Sequence, residues 1–286
     1  MDDKMAGVSP TADPSAGTGG PGLPSAPPAI DLRSVSKTFD MESGERVNAV
    51  ENVSLTVEPG QFVCIVGPSG HGKSTLLNLI AGFIQPTSGE VFSHGAPVQG
   101  PGPDRGVVFQ RDTLFLWMSV ASNIAFGLSA RGVPKAKRDK IVEHYLELIG
   151  LEKFAGAWPK QLSGGMRRRV AIAAVFANEP EVLLMDEPFV GLDYLRRDHL
   201  HRVLLDLWNE SGHRAIFMIT HDVDEALALA DRILVVRDGS IAYEAEVKFD
   251  RPRPVDVITG PEATEIRREI LEHFGDARSQ VTDDRA

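Results

Sequence analysis

Phe62-Val63-Cys64-Ile65-Val66 is an unbroken apolar run that leads through Gly67-Pro68-Ser69-Gly70-His71-Gly72-Lys73-Ser74-Thr75 into Leu76-Leu77-Asn78-Leu79-Ile80. A short run that is apolar on both faces reads as a central strand of a parallel sheet, and the segment behind it reads as the start of a helix. The turn between them fits G-x-x-x-x-G-K-[ST], in the strand-to-helix setting this pattern requires. Its glycines let successive backbone N–H groups curl around phosphate oxygens, and the helix N-terminus adds positive potential. Lys73 is then placed to reach the β- and γ-phosphates, and Ser74 to ligate Mg²⁺. The whole run from Gly67 through Pro68, Ser69, Gly70, His71, Gly72, Lys73 and Ser74 to Thr75 is the expected nucleotide cradle, with His71 facing solvent rather than acting in catalysis. The alternative is a glycine-rich turn that holds no nucleotide.

Working outward, Ile30 to Phe39 and the alternation Val53-Leu55-Val57 read as antiparallel edge strands. Val107-Val108-Phe109, Val182-Leu183-Leu184-Met185, Ala215 to Ile219 and Ile233 to Val236 repeat the buried-strand pattern, separated by helix-period segments such as Leu195 to Trp208. The expected class is therefore α/β, a sheet with helices on its faces. Between Arg111 and Leu162 strand signals give way to helical ones such as Ile141-Val142-Tyr145-Leu146-Ile149, which marks an inserted helical subdomain at about 111–162. Asp238-Gly239 marks a hairpin, and a last helix is expected near Glu262 to Phe274.

The 286 residues carry 30 Lys plus Arg against 40 Asp plus Glu, a net charge of −10. That sign disfavours spread-out nucleic-acid or anionic-lipid binding, so any phosphate must be held locally. No apolar run approaches the roughly 18 residues of a membrane span. The single cysteine, Cys64, lies inside an apolar strand and reads as core packing in a reducing compartment. Residues 1–29, rich in Pro, Gly, Ser and Ala, form an arm expected to be disordered and without the apolar core of a secretory signal. The expected division is this arm, an ordered unit at 30–250, and a helix with a frayed tail at 251–286.

Val182 to Met185 ends in Asp186-Glu187-Pro188 at the sheet edge where α/β proteins place ligands. Alone, two such acids would be a solvated strand end. Behind a phosphate loop, Asp186 reads as the metal holder and Glu187 as the proton acceptor for an attacking water. Gln161-Leu162-Ser163-Gly164-Gly165-Met166-Arg167-Arg168-Arg169 precedes an apolar helix, with Ser163 in the N-cap position. Taken alone it is a capped helix start with three arginines on a solvated face.

Leu162-Ser163-Gly164-Gly165, set between a phosphate loop and an Asp-Glu strand end, resembles the signature of the ATP-binding cassette (ABC) ATPases. That resemblance spans about residues 30 to 250 and implies a phosphate-loop NTPase of ABC type, with a mixed sheet, an antiparallel β subdomain and the helical insertion. It implies that Gln110 touches Mg²⁺ and the attacking water, and that Gly191-Leu192-Asp193 crosses a dimer interface. It also implies that His221 contacts the γ-phosphate and that Phe39 lies against adenine; a lone Phe ending a strand is otherwise core. In this family two cassettes pack head to tail, so that ATP on Lys73 and Glu187 of one copy is closed over by Ser163, Gly164 and Gly165 of the other.

Gly102-Pro103-Asp104-Arg105-Gly106-Val107-Val108-Phe109-Gln110, Asn123-Ile124-Ala125-Phe126-Gly127-Leu128 and Met166 are similar to the nitrate/sulfonate/taurine branch of bacterial importers. Leu116-Trp117 and Gly191 depart from that branch, where Pro-Trp and Ala or Ser are usual. The implied protein is an ATP-hydrolysing subunit, peripheral on the cytoplasmic face of the inner membrane. Its implied partners are a second copy, a permease contacting the region Gln110 to Trp117 and, indirectly, a solute-binding protein. For Trp117, core packing in the helical insertion is the competing reading. The alternatives for the whole chain are a non-transport ABC ATPase and an exporter or lipoprotein-release ATPase. The resemblance implies coupling of ATP hydrolysis to uptake of a small solute of the nitrate, sulfonate or taurine kind.

Overall fold

The computed structural model describes residues 26–274 apart from residues 43, 112 and 213; residues 1–25 of the expected arm and 275–286 of the expected tail lie outside the described residues. Two sheets organise the rest. Strands β1 (Ile30–Asp40), β2 (Arg46–Val57), β4 (Ser88–Ser93) and β5 (Ala96–Pro97) form an antiparallel sheet in the order β2-β1-β4-β5. β1 is thus an inner strand, not the edge strand its pattern suggests. The strand beside it, Ser-Gly-Glu-Val-Phe-Ser, buries only Val91 and Ser93 and carries no alternation to read.

The larger sheet takes the order β10-β9-β3-β8-β7-β6, from β3 (Phe62–Val66), β6 (Arg105–Val108), β7 (Val182–Asp186), β8 (Ala215–Ile219), β9 (Arg232–Arg237) and β10 (Ser240–Glu246). Its strands run parallel except β10, which turns back on β9 through Asp238-Gly239. Successive residues of a strand point to opposite faces. In β3, accordingly, Phe62, Cys64 and Val66 enter one apolar core, while Val63 and Ile65 enter the second. Both faces are covered, which is why the run is apolar throughout. Burial pushes the Cys64 thiol well up from its usual value, as suits an inert core residue.

α1 (Lys73–Ala81) lies on the second core with the antiparallel sheet and stops at Gly82, which adopts the left-handed conformation that ends helices. On the other face lie α2 (Val120–Ala130), α3 (Lys135–Leu148), α4 (Gly164–Phe176), α5 (Tyr194–Ser211) and α6 (Val223–Leu229). Ser119 caps α2 by accepting from the Ser122 N–H, and the Tyr145 hydroxyl of α3 donates to Phe176 O at 3.0 Å, joining the helical insertion to α4. After the hairpin come a short α7 (Val255–Ile258) and α8 (Pro261–Phe274), which buries Ala263 and Ile270.

Candidate nucleotide-binding and hydrolytic site

The candidate residues converge at the C-terminal ends of β3, β6, β7 and β8, the edge where open parallel sheets bind ligands. The loop after β3 places Gly67 at φ 144°, Gly70 at 81° and Gly72 at 95°. At two of these positions close approach also excludes a side chain: a Cβ would lie 2.2 Å from Val236 O at Gly67 and 2.0 Å from Ala49 O at Gly72. The loop is thereby held against both sheets. His71 accepts from the Asp238 N–H at 3.0 Å, and its carbonyl accepts from the Gly239 N–H at 3.3 Å. This corrects the expectation that His71 faces solvent; it pins the loop to the β9–β10 hairpin.

Lys73 is 7% exposed, and its ammonium donates to Gly67 O at 2.8 Å and Pro68 O at 2.7 Å. Burial pulls its pKa down, opposed by the carboxylates of Glu187 and Asp186. The Ser74 hydroxyl lies 3.4 Å from Asp186 Oδ1, at the end of β7. Glu187, next in sequence, sits at φ 44°, a left-handed backbone uncommon for a residue with a Cβ, and its N–H donates to Ile219 O at 3.0 Å. Its side chain is the meeting point of two others. Gln110 Nε2 donates to Glu187 Oε2 at 2.8 Å, and His221 Nδ1 lies 3.8 Å from Glu187 Oε1. Residues from the ends of four strands are thus brought to one edge, Ser74 and Asp186 from 112 positions apart.

The remaining candidates stand apart from that group. Ser163 caps α4, accepting from the Met166 N–H at 3.3 Å, and it and Gly164 are exposed. Asp193 caps α5, accepting from the Arg196 N–H at 3.1 Å. Phe39 pairs with Val47 on β2, two residues before the Ala49 that abuts Gly72, and is 37% exposed, so its ring lies at the rim rather than in the core. Trp117 is 70% exposed and Leu116 64%, which overturns the core reading for Trp117. Phe115 lies beside Trp117, its ring 5.4 Å from that of Trp117 and 4.5 Å from that of Phe126.

The sequence reading missed Arg168. Read as part of a solvated face, it is 5% exposed and its guanidinium donates to main-chain oxygens of Phe109, Gln110, Glu187 and Pro188. A signal was present: Gly165, Arg168, Ile172 and Phe176, all buried, follow helical spacing along one face of α4.

Burial first, then the Glu187 carboxylate, raises the Asp186 pKa above its ordinary value, with the Ser74 hydroxyl and Lys73 acting in the other direction. A carboxyl whose folded-state pKa exceeds its unfolded one binds its proton more tightly when folded. Stability therefore falls as pH rises through that window, and the unliganded chain carries the penalty at neutral pH. Asp186→Asn is expected to raise the melting temperature of the nucleotide-free chain at pH 7, by about 2–4 °C for each ~1 kcal/mol relieved. The gain should fade below about pH 4, where the unfolded carboxyl is itself protonated. Equal melting temperatures at pH 7 would remove this electrostatic strain.

A phosphate loop, a buried lysine and a strand-end aspartate on a parallel sheet define a nucleoside-triphosphate-binding α/β protein. The donor set fits the ligands of that class: backbone N–H groups and Lys73 for phosphates, hydroxyl and carboxylate oxygens for a hard divalent cation. Comparison with known proteins takes the assignment further. The ABC transporter family matches residues 50–190. The taurine import ATP-binding protein of Roseobacter denitrificans is 43% identical over 258 residues, 88% of this chain and 96% of that protein. The nitrate import ATP-binding protein of Synechococcus elongatus is 46% identical over 244 residues, 83% of this chain and 88% of that protein. Among solved structures, an ATP-binding cassette in a dimeric post-hydrolysis state, bound to ADP and Pi, superposes with a TM-score of 0.68 at 33% identity, covering 77% of this chain and all of that one. The chain belongs to the ATP-binding subunits of the ABC transporter family, and it is an ATPase of that type.

Proposed function

We propose that this subunit powers uptake of a small solute of the nitrate, sulfonate or taurine kind, as a dimer beneath a membrane permease served by a solute-binding protein. The observation that carries the hydrolytic part is the convergence of Gln110 and His221 on the Glu187 carboxylate beside Lys73 and Ser74. In this reading Lys73 and the amides of residues 67–75 bind the phosphates. Glu187 accepts the proton of the attacking water, Gln110 orients that water, and His221 contacts the γ-phosphate. Ser74, Asp186 and Gln110 would hold Mg²⁺, which when bound neutralises phosphate charge. Phe39 stacks on adenine at the rim. Ser163, Gly164, Gly165 and Asp193, whose polar partners among the described residues are local, serve the partner's nucleotide.

The solute class follows the relatives that share most of this chain's length, whose names specify taurine and nitrate import. Among the described residues no helix is long and apolar enough to cross a membrane, consistent with a peripheral subunit, here placed on the cytoplasmic face. The helical insertion at about 111–162 is the element that moves with nucleotide state, and exposed Trp117 is its anchor on the permease. The test is affinity isolation of the Glu187→Gln chain from detergent-solubilised membranes with MgATP. A co-purifying multi-span permease supports the importer; recovery with ribosomes, with DNA or alone would leave an ATPase without a transport role. Trp117→Ala should lower permease recovery at least about tenfold, as loss of an interface anchor does. Undiminished recovery would remove Trp117 from the contact.

A further inference from the structure

Of the three consecutive arginines that follow the Ser163 cap, Arg167 donates to Leu162 O at 2.9 Å and Arg169 to Ile149 O at the end of α3 at 2.5 Å. Arg168 turns inward. Its Nη1 donates to Phe109 O at 2.6 Å and its Nη2 to Gln110 O at 2.9 Å and to Glu187 O at 3.4 Å, while Nε donates to Pro188 O. The acceptors belong to the segments leaving β6 and β7, neighbouring parallel strands that pair Val108 with Met185. Gln110 and Glu187 are therefore joined twice, through their side chains at 2.8 Å and through their main chains by one guanidinium.

We infer that Arg168 is a positioning residue that sets the spacing of Gln110 and Glu187 and couples it to the helix capped by Ser163. This rests on the hydrolytic reading above and deepens it. Glu187 occupies a left-handed backbone, φ 44°, which persists only where the surroundings over-determine it. Its N–H is held by Ile219 O and its carbonyl by Arg168, which fixes the peptide on both sides. A rigid, planar fork of N–H donors can satisfy carbonyls from two separate segments at once, and no neutral side chain has that reach. Ser163 lies five residues earlier on the same rigid helix. A partner's nucleotide that draws on Ser163 would pull Arg168 with it, so closure over one site is felt at the proton acceptor of the other.

The test compares Arg168→Met, Arg168→Lys and Arg168→Gln by steady-state ATP hydrolysis, fluorescent-nucleotide binding and thermal melting. For Arg168→Met, kcat should fall about ten- to a hundredfold with nucleotide affinity within threefold, the signature of an interaction realised in the transition state. Lys and Gln, which keep some donors, should recover part of the loss. In the Glu187→Gln background the same substitution should lower residual turnover less than threefold, because residues acting as a unit are not additive. Unchanged turnover in all three variants overturns the inference. So does a parallel loss of nucleotide affinity, melting temperature and kcat in the conservative variants, which is what a merely structural arginine would give. Absence of hydrolysis by the unaltered chain would instead strike the hydrolytic reading itself, and this inference with it.

Discussion

Glu187→Gln is expected to bind MgATP as tightly as the unaltered chain and to hydrolyse it about 10²–10³-fold more slowly, the range associated with losing a general base. In barrier terms that is about 3–4 kcal/mol. The substitution is nearly isosteric. Glutamine tolerates the left-handed backbone of this position no worse than glutamate, and its amide oxygen can still accept from Gln110 Nε2, which now donates at 2.8 Å. What disappears is the capacity to take a proton. Phosphate release measured beside binding of a fluorescent nucleotide separates the two effects. Turnover within threefold of the unaltered chain would remove Glu187 from the role.

Ser163→Arg has the second large effect: hydrolysis abolished, with ATP binding spared. In the single chain Ser163 caps α4 and makes no polar contact with the Lys73 group, so its removal should cost only the cap, about 1 kcal/mol of stability, plus an adverse charge at a helix N-terminus. In the proposed reading the functional loss arises because that exposed N-terminus serves a second copy's nucleotide. Mixing the Ser163→Arg chain with a Lys73→Ala chain makes the point sharply. Each homodimer lacks one half of both sites, whereas the mixed dimer has one site with Lys73 and Ser163 both intact. Two inactive variants should therefore regain activity, up to roughly a quarter of the full value, as two-fold symmetric shared sites require. If mixing restores nothing, each chain must work alone.

Much of this was legible because buried parallel strands read as continuous apolar runs. β3, β7, β8 and β9 stand out in that way, and the phosphate loop and the Asp186-Glu187 pair are attached to two of them. β4 and β5 were not legible: β4 buries two residues and β5 none, which leaves no periodic trace. Trp117 and Arg168 show the same limit from opposite sides. A large aromatic suggests burial and an arginine suggests solvent, yet the packing of Phe115 leaves Trp117 outside and the carbonyls of two loops draw Arg168 in. His71 is a third case, since its anchor on Asp238 lies 167 residues away and nothing local announces it. Motif chemistry is written in local spacing; long-range polar ties are written only in the fold.

The most direct measurement is the mass of the Glu187→Gln chain by light scattering, without nucleotide, with saturating MgATP and with saturating MgADP. ATP trapped between two chains, each supplying the half-site the other lacks, should double the mass with MgATP alone. A mass that stays at one chain while ATP is demonstrably bound would contradict a site completed by a second copy.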